Sequence, residues 1–461
     1  MKLSTLILLG IGLTACGDDG PGLTDSDSGS GTASTSATGS TAGSGETESA
    51  DGGSTTDGEP TDPTPILERE PMISHACEET RAMAQPMGAA NGRREGLVAL
   101  GGEYFVLSSS EALSLSSIAL DGTTGDEVVL EADAFTYQSA TSVVVDGGIA
   151  TIWTYANGGS PVLRYAVVDD TLGTVIAPKA VGGVAGAYLT AAALLPAASG
   201  ELALLYAEAD AGGQTRLRFV PLDASGDAAA TPVDVADLGP SYGMASASAA
   251  VTPDGGYAVS YTTGDYGGSE VFFVILDADG TERFAPQRIS RAAGDGWFSD
   301  LGPARRRSVL PVGDRFWVVF TESWIDPDPM VMNGNVVVKL AVVDADGQSE
   351  SHLLQAPVDG KNNISPMFVE LDGRVGIVWT TGTIIWICAG CITDNDLQLV
   401  LLDPDAIVPA SNVLTQIHPQ VNGIVLPIGE FVGADMLTVA SLDFHALTQP
   451  ASGALRCEPT G

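Results

Sequence analysis

The chain has 461 residues, with 58 acidic against 20 basic side chains and a formal net charge of −38 at pH 7. A surface this negative repels nucleic acid and anionic lipid, which argues against a nucleic-acid-binding function. With 44% hydrophobic residues, the chain can still build a substantial core in one large or two ordinary domains.

Residues 1–15 predict an export signal. Lys2 supplies a charged start, and an apolar run from Leu3 to about Leu13 follows it. This run is too short to span a bilayer. It ends in Leu13-Thr14-Ala15-Cys16, which resembles the lipobox of bacterial lipoproteins. The resemblance implies cleavage before Cys16 and acylation of that cysteine, and two or more acyl chains anchor a protein stably. The alternative is an ordinary secretory signal in which Cys16 is incidental.

The residues after Cys16 predict a disordered tether. From Gly17 to Pro65 the chain is almost entirely Gly, Ser, Thr, Asp, Glu, Ala and Pro, without aromatic or basic residues. Such a composition cannot offset its ordering entropy by burying apolar surface. We therefore assign residues 16–69 to the tether and residues 70–461 to a folded domain in the cell envelope. Because Gly17, not aspartate, follows the cysteine, we expect the outer membrane in preference to the inner one, with the domain in the periplasm or on the cell surface.

Four cysteines remain if Cys16 carries lipid. An even number in an exported protein suggests two disulfides, for which three pairings exist. We pair Cys77 with Cys457, near the two ends of the folded region, and Cys388 with Cys391. The first bond would fasten the first and last repeats described below. A redox or zinc site at Cys388 and Cys391 is the alternative, but no helix start or further ligands are predicted nearby.

Residues 97–445 predict β-structure organised in seven repeats. Short apolar runs alternate with Gly and Asp turns, and no stretch has a helical period. Each repeat has a tight turn followed by a strand that ends in Leu-Asp or Val-Asp. The tight turns fall at Gly101-Gly102, Asp146-Gly147, Ser199-Gly200, Asp254-Gly255, Gly313-Asp314, Asp372-Gly373 and near Gly429, and the strand ends at Asp121, Asp169, Asp223, Asp277, Asp344, Asp403 and Asp443.

Four antiparallel strands repeated seven times most resemble a seven-bladed β-propeller, in which closure of the ring protects the sheet edges. No known blade signature is present, so the resemblance is to the architecture and not to a family. Tandem β-sandwiches or a β-solenoid are the alternatives.

A binding site is expected on the propeller face that gathers the longer loops. In the fourth to sixth repeats these loops are predicted at residues 264–270, 290–307, 323–335 and 382–396. Loops rich in aromatic and polar residues on a rigid scaffold are typical of binding surfaces. The candidate residues are Asp295, Trp297, Asp300, Arg305, Arg306, Arg307, Trp324, Asp326, Asp328, Trp386, Asp394 and Asp396. Alternatively, these loops are tolerant insertions, and the three arginines pair with neighbouring carboxylates.

The primary functional hypothesis is a non-catalytic binding or scaffold module that recognises an envelope or extracellular protein or glycan. We expect a monomer without a cofactor, held at the membrane by lipid alone. The first alternative is a glycan or peptide hydrolase or lyase that uses carboxylates such as Asp295 and Asp326, or a bound calcium. The second is a scaffold for envelope assembly. The Asp-Ala-Asp-Gly turns at Asp277 and Asp344 lack the further ligands of a calcium loop, and turn chemistry explains them.

Overall fold

The computed structural model describes residues 64–84, 93–109, 111–132, 137–156, 160–184, 188–196, 201–210, 212–239, 246–265, 268–291, 297–301, 307–324, 336–358, 361–385, 391–417, 424–444 and 447–460. Over these ranges the chain is all-β apart from one short 3₁₀ helix, Ile66–Glu68. Within them, no helix is long and apolar enough to cross a membrane.

The described strands form seven antiparallel blades, as predicted. The first strand in the chain is β1 (His75–Ala84), which belongs to the last blade. Blade 1 is β2 (Arg93–Leu100), β3 (Glu103–Ser109), β4 (Leu113–Ile118) and β5 (Thr124–Glu131). Blade 2 is β6 (Tyr137–Val145), β7 (Gly148–Tyr155), β8 (Val162–Val168) and β9 (Thr174–Ala180). Blade 3 is β10 (Tyr188–Pro196), β11 (Leu202–Ala209), β12 (Thr215–Leu222) and β13 (Val233–Gly239).

The next three blades are less regular. Blade 4 is β14 (Ala247–Val251), β15 (Tyr257–Asp265), β16 (Gly268–Leu276) and β17 (Gln287–Arg288). Blade 5 is β18 (Trp297–Asp300), β19 (Val309–Val312), β20 (Arg315–Trp324), β21 (Val337–Val343) and β22 (Ser349–Leu353). Blade 6 is β23 (Asn362–Leu371), β24 (Arg374–Ile385), β25 (Cys391–Asp403), β26 (Val408–Pro409) and β27 (Leu414–Ile417). The last two strands of blade 6 both pair with β25 and together form its outer edge.

Blade 7 closes the ring with both ends of the domain. Its strands are β28 (Ile424–Val432), β29 (Asp435–Phe444) and β30 (Leu447–Pro459), and β1 pairs with β30 as the outermost strand. The innermost strands β28 and β2 are in contact, which joins blade 7 to blade 1. The predicted Cys77–Cys457 disulfide is present, but it joins β1 to β30 inside blade 7 and does not join the first and last blades.

The apolar core lies between the blades. Separate buried clusters fill the junctions of blades 1 and 2, 2 and 3, 3 and 4, 4 and 5, and 5 and 6, and a larger one connects blades 6, 7 and 1. Ile66 is fully buried in the cluster between blades 5 and 6, so the packed chain begins before the predicted boundary at residue 70.

We name the strands of each blade A to D from the inside outward. The A–B and C–D turns lie on one face of the propeller, the turn face, and the B–C and D–A connections lie on the other, the loop face. Predicted A–B turns are confirmed in blades 1, 2, 4, 5 and 6, and Ser199-Gly200 lies outside the described residues. Predicted C–D turns are confirmed in blades 1 to 6.

The prediction was wrong for the turns of blade 7. Gly429 lies inside β28, and the A–B turn falls instead at Gly433-Ala434. Leu442-Asp443 lies inside β29, because the D strand of this blade comes from the N-terminal end of the domain and no C–D turn is needed.

The C–D turns of blades 2 to 5 share one hydrogen-bond pattern. In blade 3, the Asp223 amide donates to the carbonyl of Asp227, and the Gly226 amide donates back to the carbonyl of Asp223. The Asp223 carboxylate also accepts a bond from the Ser225 amide at 2.8 Å. The same backbone bonds recur at Asp169, Asp277 and Asp344. This is the turn chemistry that the aspartate and glycine positions predict.

Candidate functional site

Strand A of blade 5 is split into two pieces. Both β18 and β19 run antiparallel to β20, and residues 301–308 separate them. One residue of β18 also bridges to β16 of blade 4, where Ser269 is the partner of Phe298. Blades 4 and 5 are therefore joined into a single nine-stranded sheet. The sequence predicted only loop for residues 290–307.

The register of β18 brings two predicted site residues together. Trp297 and Trp324 are direct partners across the β18–β20 ladder. Asp300 lies on the same short strand, opposite Thr321, and is half-buried. Because β18 begins and β20 ends at the loop face, both tryptophans occupy the edge of the sheet at that face.

A buried carboxylate lies next to this pair. Glu322 is opposite Ser299 in the same ladder, and its side chain is only 2% exposed. Its Oε1 accepts hydrogen bonds from the Arg291 amide at 3.1 Å and from the Ser299 hydroxyl at 3.4 Å. Its Oε2 is 3.6 Å from both Arg291 Nε and Lys339 Nζ. Glu322 thereby connects the end of blade 4 with β18, β20 and β21.

Hydroxyl groups from both blades fix β18 further. Ser269 of β16 donates to the Ser299 carbonyl at 2.7 Å, and Thr321 of β20 donates to the Asp300 carbonyl at 3.1 Å. A sheet edge held by such buried bonds changes shape little when a ligand binds. We call this region, formed by Arg291, residues 297–300, residues 321–324 and Lys339, the blade 4–5 patch.

Arg307 is not part of the blade 4–5 patch. Its guanidinium lies 3.7 Å from Glu370 and 3.4 Å from Glu430, which are close to the turn-face ends of the A strands of blades 6 and 7. Burial raises the pKa of Glu430, and the charge of Arg307 opposes that rise. The pairing with carboxylates that the sequence offered as an alternative thus holds for Arg307.

Blade 6 carries the remaining described candidates. Asp396 is half-buried in β25 opposite Thr381, and Asp394 lies two residues earlier in that strand. The long loops predicted at residues 264–270 and 382–396 are instead mostly strand, because β15 continues to Asp265 and β24 to Ile385. The candidates Asp295, Arg305, Arg306, Asp326, Asp328 and Trp386 lie outside the described residues, as do Cys16 and Cys388, so the Cys388–Cys391 bond stays a prediction.

Sequence reasoning missed Glu322, Lys339 and Arg291. A signal was present for Lys339, since it interrupts the apolar run from Val336 to Val343 in a chain with few lysines. A charged residue at the centre of a buried strand needs a partner, and Glu322 supplies it. Among the described residues, no group of three or more His, Cys, Asp or Glu side chains is arranged to hold a metal ion.

No protein-family model and no curated protein matches this chain. Solved structures with a similar arrangement include a polysaccharide lyase described as an ulvan lyase, with 11% identity, a TM-score of 0.49 and coverage of 81% of this chain and 94% of that one. A second polysaccharide lyase has 10% identity, a TM-score of 0.47 and coverage of 84% and 99%. A Dyadobacter fermentans protein of unknown function has 10% identity, a TM-score of 0.47 and coverage of 83% and 100%.

Proposed function

We propose that this protein is a lipid-anchored envelope protein whose propeller binds a glycan at the blade 4–5 patch. The observation that supports the proposal best is the direct pairing of Trp297 with Trp324 at the loop-face edge. Sugar rings present apolar C–H faces that aromatic residues accommodate, while neighbouring polar groups bind their hydroxyls. The paired tryptophan positions supply aromatic residues at this edge, and the half-exposed Arg291 beside Glu322 supplies a polar group.

The bonds that hold the blade 4–5 patch support the same function. Glu322 and its two cationic partners are held within a sheet that crosses two blades, so little ordering would accompany binding. A carboxylate engaged by two cations and two hydrogen-bond donors suits a positioning role.

The anchor is proposed from Cys16 and the tether. The packed chain starts at the outer wall of the propeller, where the Leu67 amide donates to the Leu354 carbonyl and the Met72 amide to the Pro409 carbonyl. These contacts are with blades 5 and 6, outside the ring of A strands. An attachment at the wall is compatible with a loop face that faces away from the lipid.

A glycan array followed by calorimetry would test the binding proposal. The mature protein should bind at least one envelope or extracellular polysaccharide, and Trp297→Ala/Trp324→Ala should weaken this binding at least tenfold, a loss of about 1.4 kcal/mol or more. Val162→Ala is the matched control, because Val162 is an exposed apolar residue at the loop-face end of β8 in blade 2. Equal affinities for wild type and the double variant would refute the proposed binding site.

Two further readouts separate the alternatives. Cleavage of the bound polysaccharide, measured as new chain ends, would establish the enzymatic function instead. Metabolic labelling with a fatty-acid analogue should label the wild type and not Cys16→Ser, and labelling of both would exclude Cys16 as the anchor.

A further inference from the structure

The N-terminal strand of the domain is the place where a pull on the tether would act. β1 is an outermost strand, bonded in its own blade to β30 alone. The segment before it follows the outer wall, where Ser74 and His75 donate backbone bonds to the carbonyl of Ala410 in blade 6. A force on residue 64 therefore acts first on the contacts of Ile66, Leu67 and Met72 with blades 5 and 6, and then on the N-terminal end of β1.

This end of β1 would open by unzipping. Its first partners in the ladder are His75 with Pro459, Ala76 with Glu458 and Cys77 with Cys457. A force that peels an edge strand from one end loads its hydrogen bonds one after another, and each contributes only about 1 kcal/mol net. Backbone bonds alone would thus resist such a force poorly.

The disulfide stands at the third pair from the loaded end. Cys77 is also held from the other side, because its amide donates to Asn412 Oδ1 at 2.8 Å and its carbonyl accepts from Asn412 Nδ2 at 3.0 Å. One residue is therefore fixed covalently to blade 7 and by two hydrogen bonds to blade 6. The remaining pairs of β1, up to Ala84 with Ser452, lie behind this point.

We propose that Cys77–Cys457 is a mechanical stop that prevents tension on the N-terminal segment from peeling β1 away and opening the ring. The presence of such tension in the cell rests on the proposed lipid anchor, whereas the stop itself is a property of the folded protein. Simple stabilisation of the closed ring is the competing role of this bond. Only the stop requires the bond to limit how much chain a pull releases.

Optical tweezers distinguish the two roles. One handle is attached at residue 17 and the other at Glu103, an exposed residue at the start of β3 on the turn face, where β1 also begins, through bio-orthogonal groups that leave the cysteines untouched. In the oxidised full-length protein, the first release of folded chain should cover residues 64–76 only, about 45 Å at roughly 3.5 Å per residue. After reduction, the first release should extend through residue 84, about 75 Å, and should occur at a lower force.

A matched variant controls for general stability. Gly280→Ala is expected to destabilise blade 4 without touching the ladder of β1 and β30, so it should leave the first release at about 45 Å. A first release longer than this in the oxidised wild type, or the same release before and after reduction, would overturn the proposal. Cys77→Ala/Cys457→Ala removes the bond without a reductant. If this variant fails to fold, the release length of the oxidised wild type still tests whether the bond acts as a stop. If lipid labelling shows no acylation at Cys16, the proposed anchor is refuted, but the predicted release lengths do not change.

Discussion

Replacement of Gly280 by alanine tests how closely successive blades fit together. Gly280 is in the C–D turn of blade 4 and has a φ of +88°. A Cβ at this position would lie 2.6 Å from Cδ1 of Phe219, on strand C of blade 3. Phe219 is fully buried, with its ring 4.8 Å from that of Tyr257, so it has little space in which to move. The substitution therefore adds a steric conflict to an unfavourable backbone conformation.

The two costs can be separated with Gly102. Its φ is +89°, and a Cβ there would meet no atom within 4 Å. Left-handed backbone costs a non-glycine residue about 1–2 kcal/mol, and overpacking of a buried contact costs a further 1–3 kcal/mol. We expect Gly102→Ala to lower the free energy of unfolding by about 1–2 kcal/mol and Gly280→Ala by about 2–5 kcal/mol.

Chemical denaturation of both variants, followed by tryptophan fluorescence and circular dichroism, measures these losses. For a folded region of roughly 400 residues, each 1 kcal/mol corresponds to a shift in Tm of only about 1 °C, so denaturant midpoints are the better measure. Phe219→Leu should reduce the loss caused by Gly280→Ala, with a coupling of about 0.5–3 kcal/mol. Equal losses at Gly102 and Gly280, or no coupling to Phe219, would refute the proposed blade contact.

Three further outcomes follow from the contacts. Glu322→Gln should lower the free energy of unfolding by about 3 kcal/mol in a denaturant titration, because two cations near a buried site lose their counter-charge; a loss below 1 kcal/mol would contradict this. Tyr104→Phe should cost about 1 kcal/mol by the same assay, since the Tyr104 hydroxyl donates to the Asp435 carbonyl at 2.6 Å across the junction of blades 1 and 7; an unchanged midpoint would argue against that bond. Hydrogen bonds from Thr252 and then Arg283 lower the pKa of Asp254 to about 2, so its contribution to stability is present above about pH 4 and is lost as the pH falls toward 2. NMR titration should give a midpoint near 2 for this carboxyl group, whereas a midpoint near 4 would exclude the bonds.

The seven repeats were predictable because the turns between their strands depend on local interactions. An aspartate that accepts backbone bonds within its own turn, followed by a residue with positive φ, needs no distant partner. The expectation that Leu-Asp precedes a C–D turn failed at Leu442-Asp443, because this pair lies inside strand B of blade 7. Closure by β1 is a contact between distant parts of the chain, and no short pattern encodes it.

The blade 4–5 patch was only partly predictable for a similar reason. Composition singled out Trp297, Asp300 and Trp324, but β18 has four residues and exists through its bonds to β16 and β20. Glu322 looks like an ordinary polar residue at the end of a strand until Arg291 and Lys339 are placed beside it. Strand pairing and ion pairs of this kind depend on neighbours from other blades, which a single sequence does not reveal.

Closure by the first strand also determines when the protein can finish folding. The bonded cysteines are separated by 380 positions in the chain. A ribosome that adds about 5–20 residues per second needs roughly 20–75 s to produce the second after the first. Throughout that interval β1 is a strand without its partner, and six of its ten side chains will be exposed even in the finished blade. Its charged residues Glu78, Glu79 and Arg81 disfavour pairing with the edge of another sheet. The strand that completes the ring is therefore also protected against wrong pairing before the ring closes.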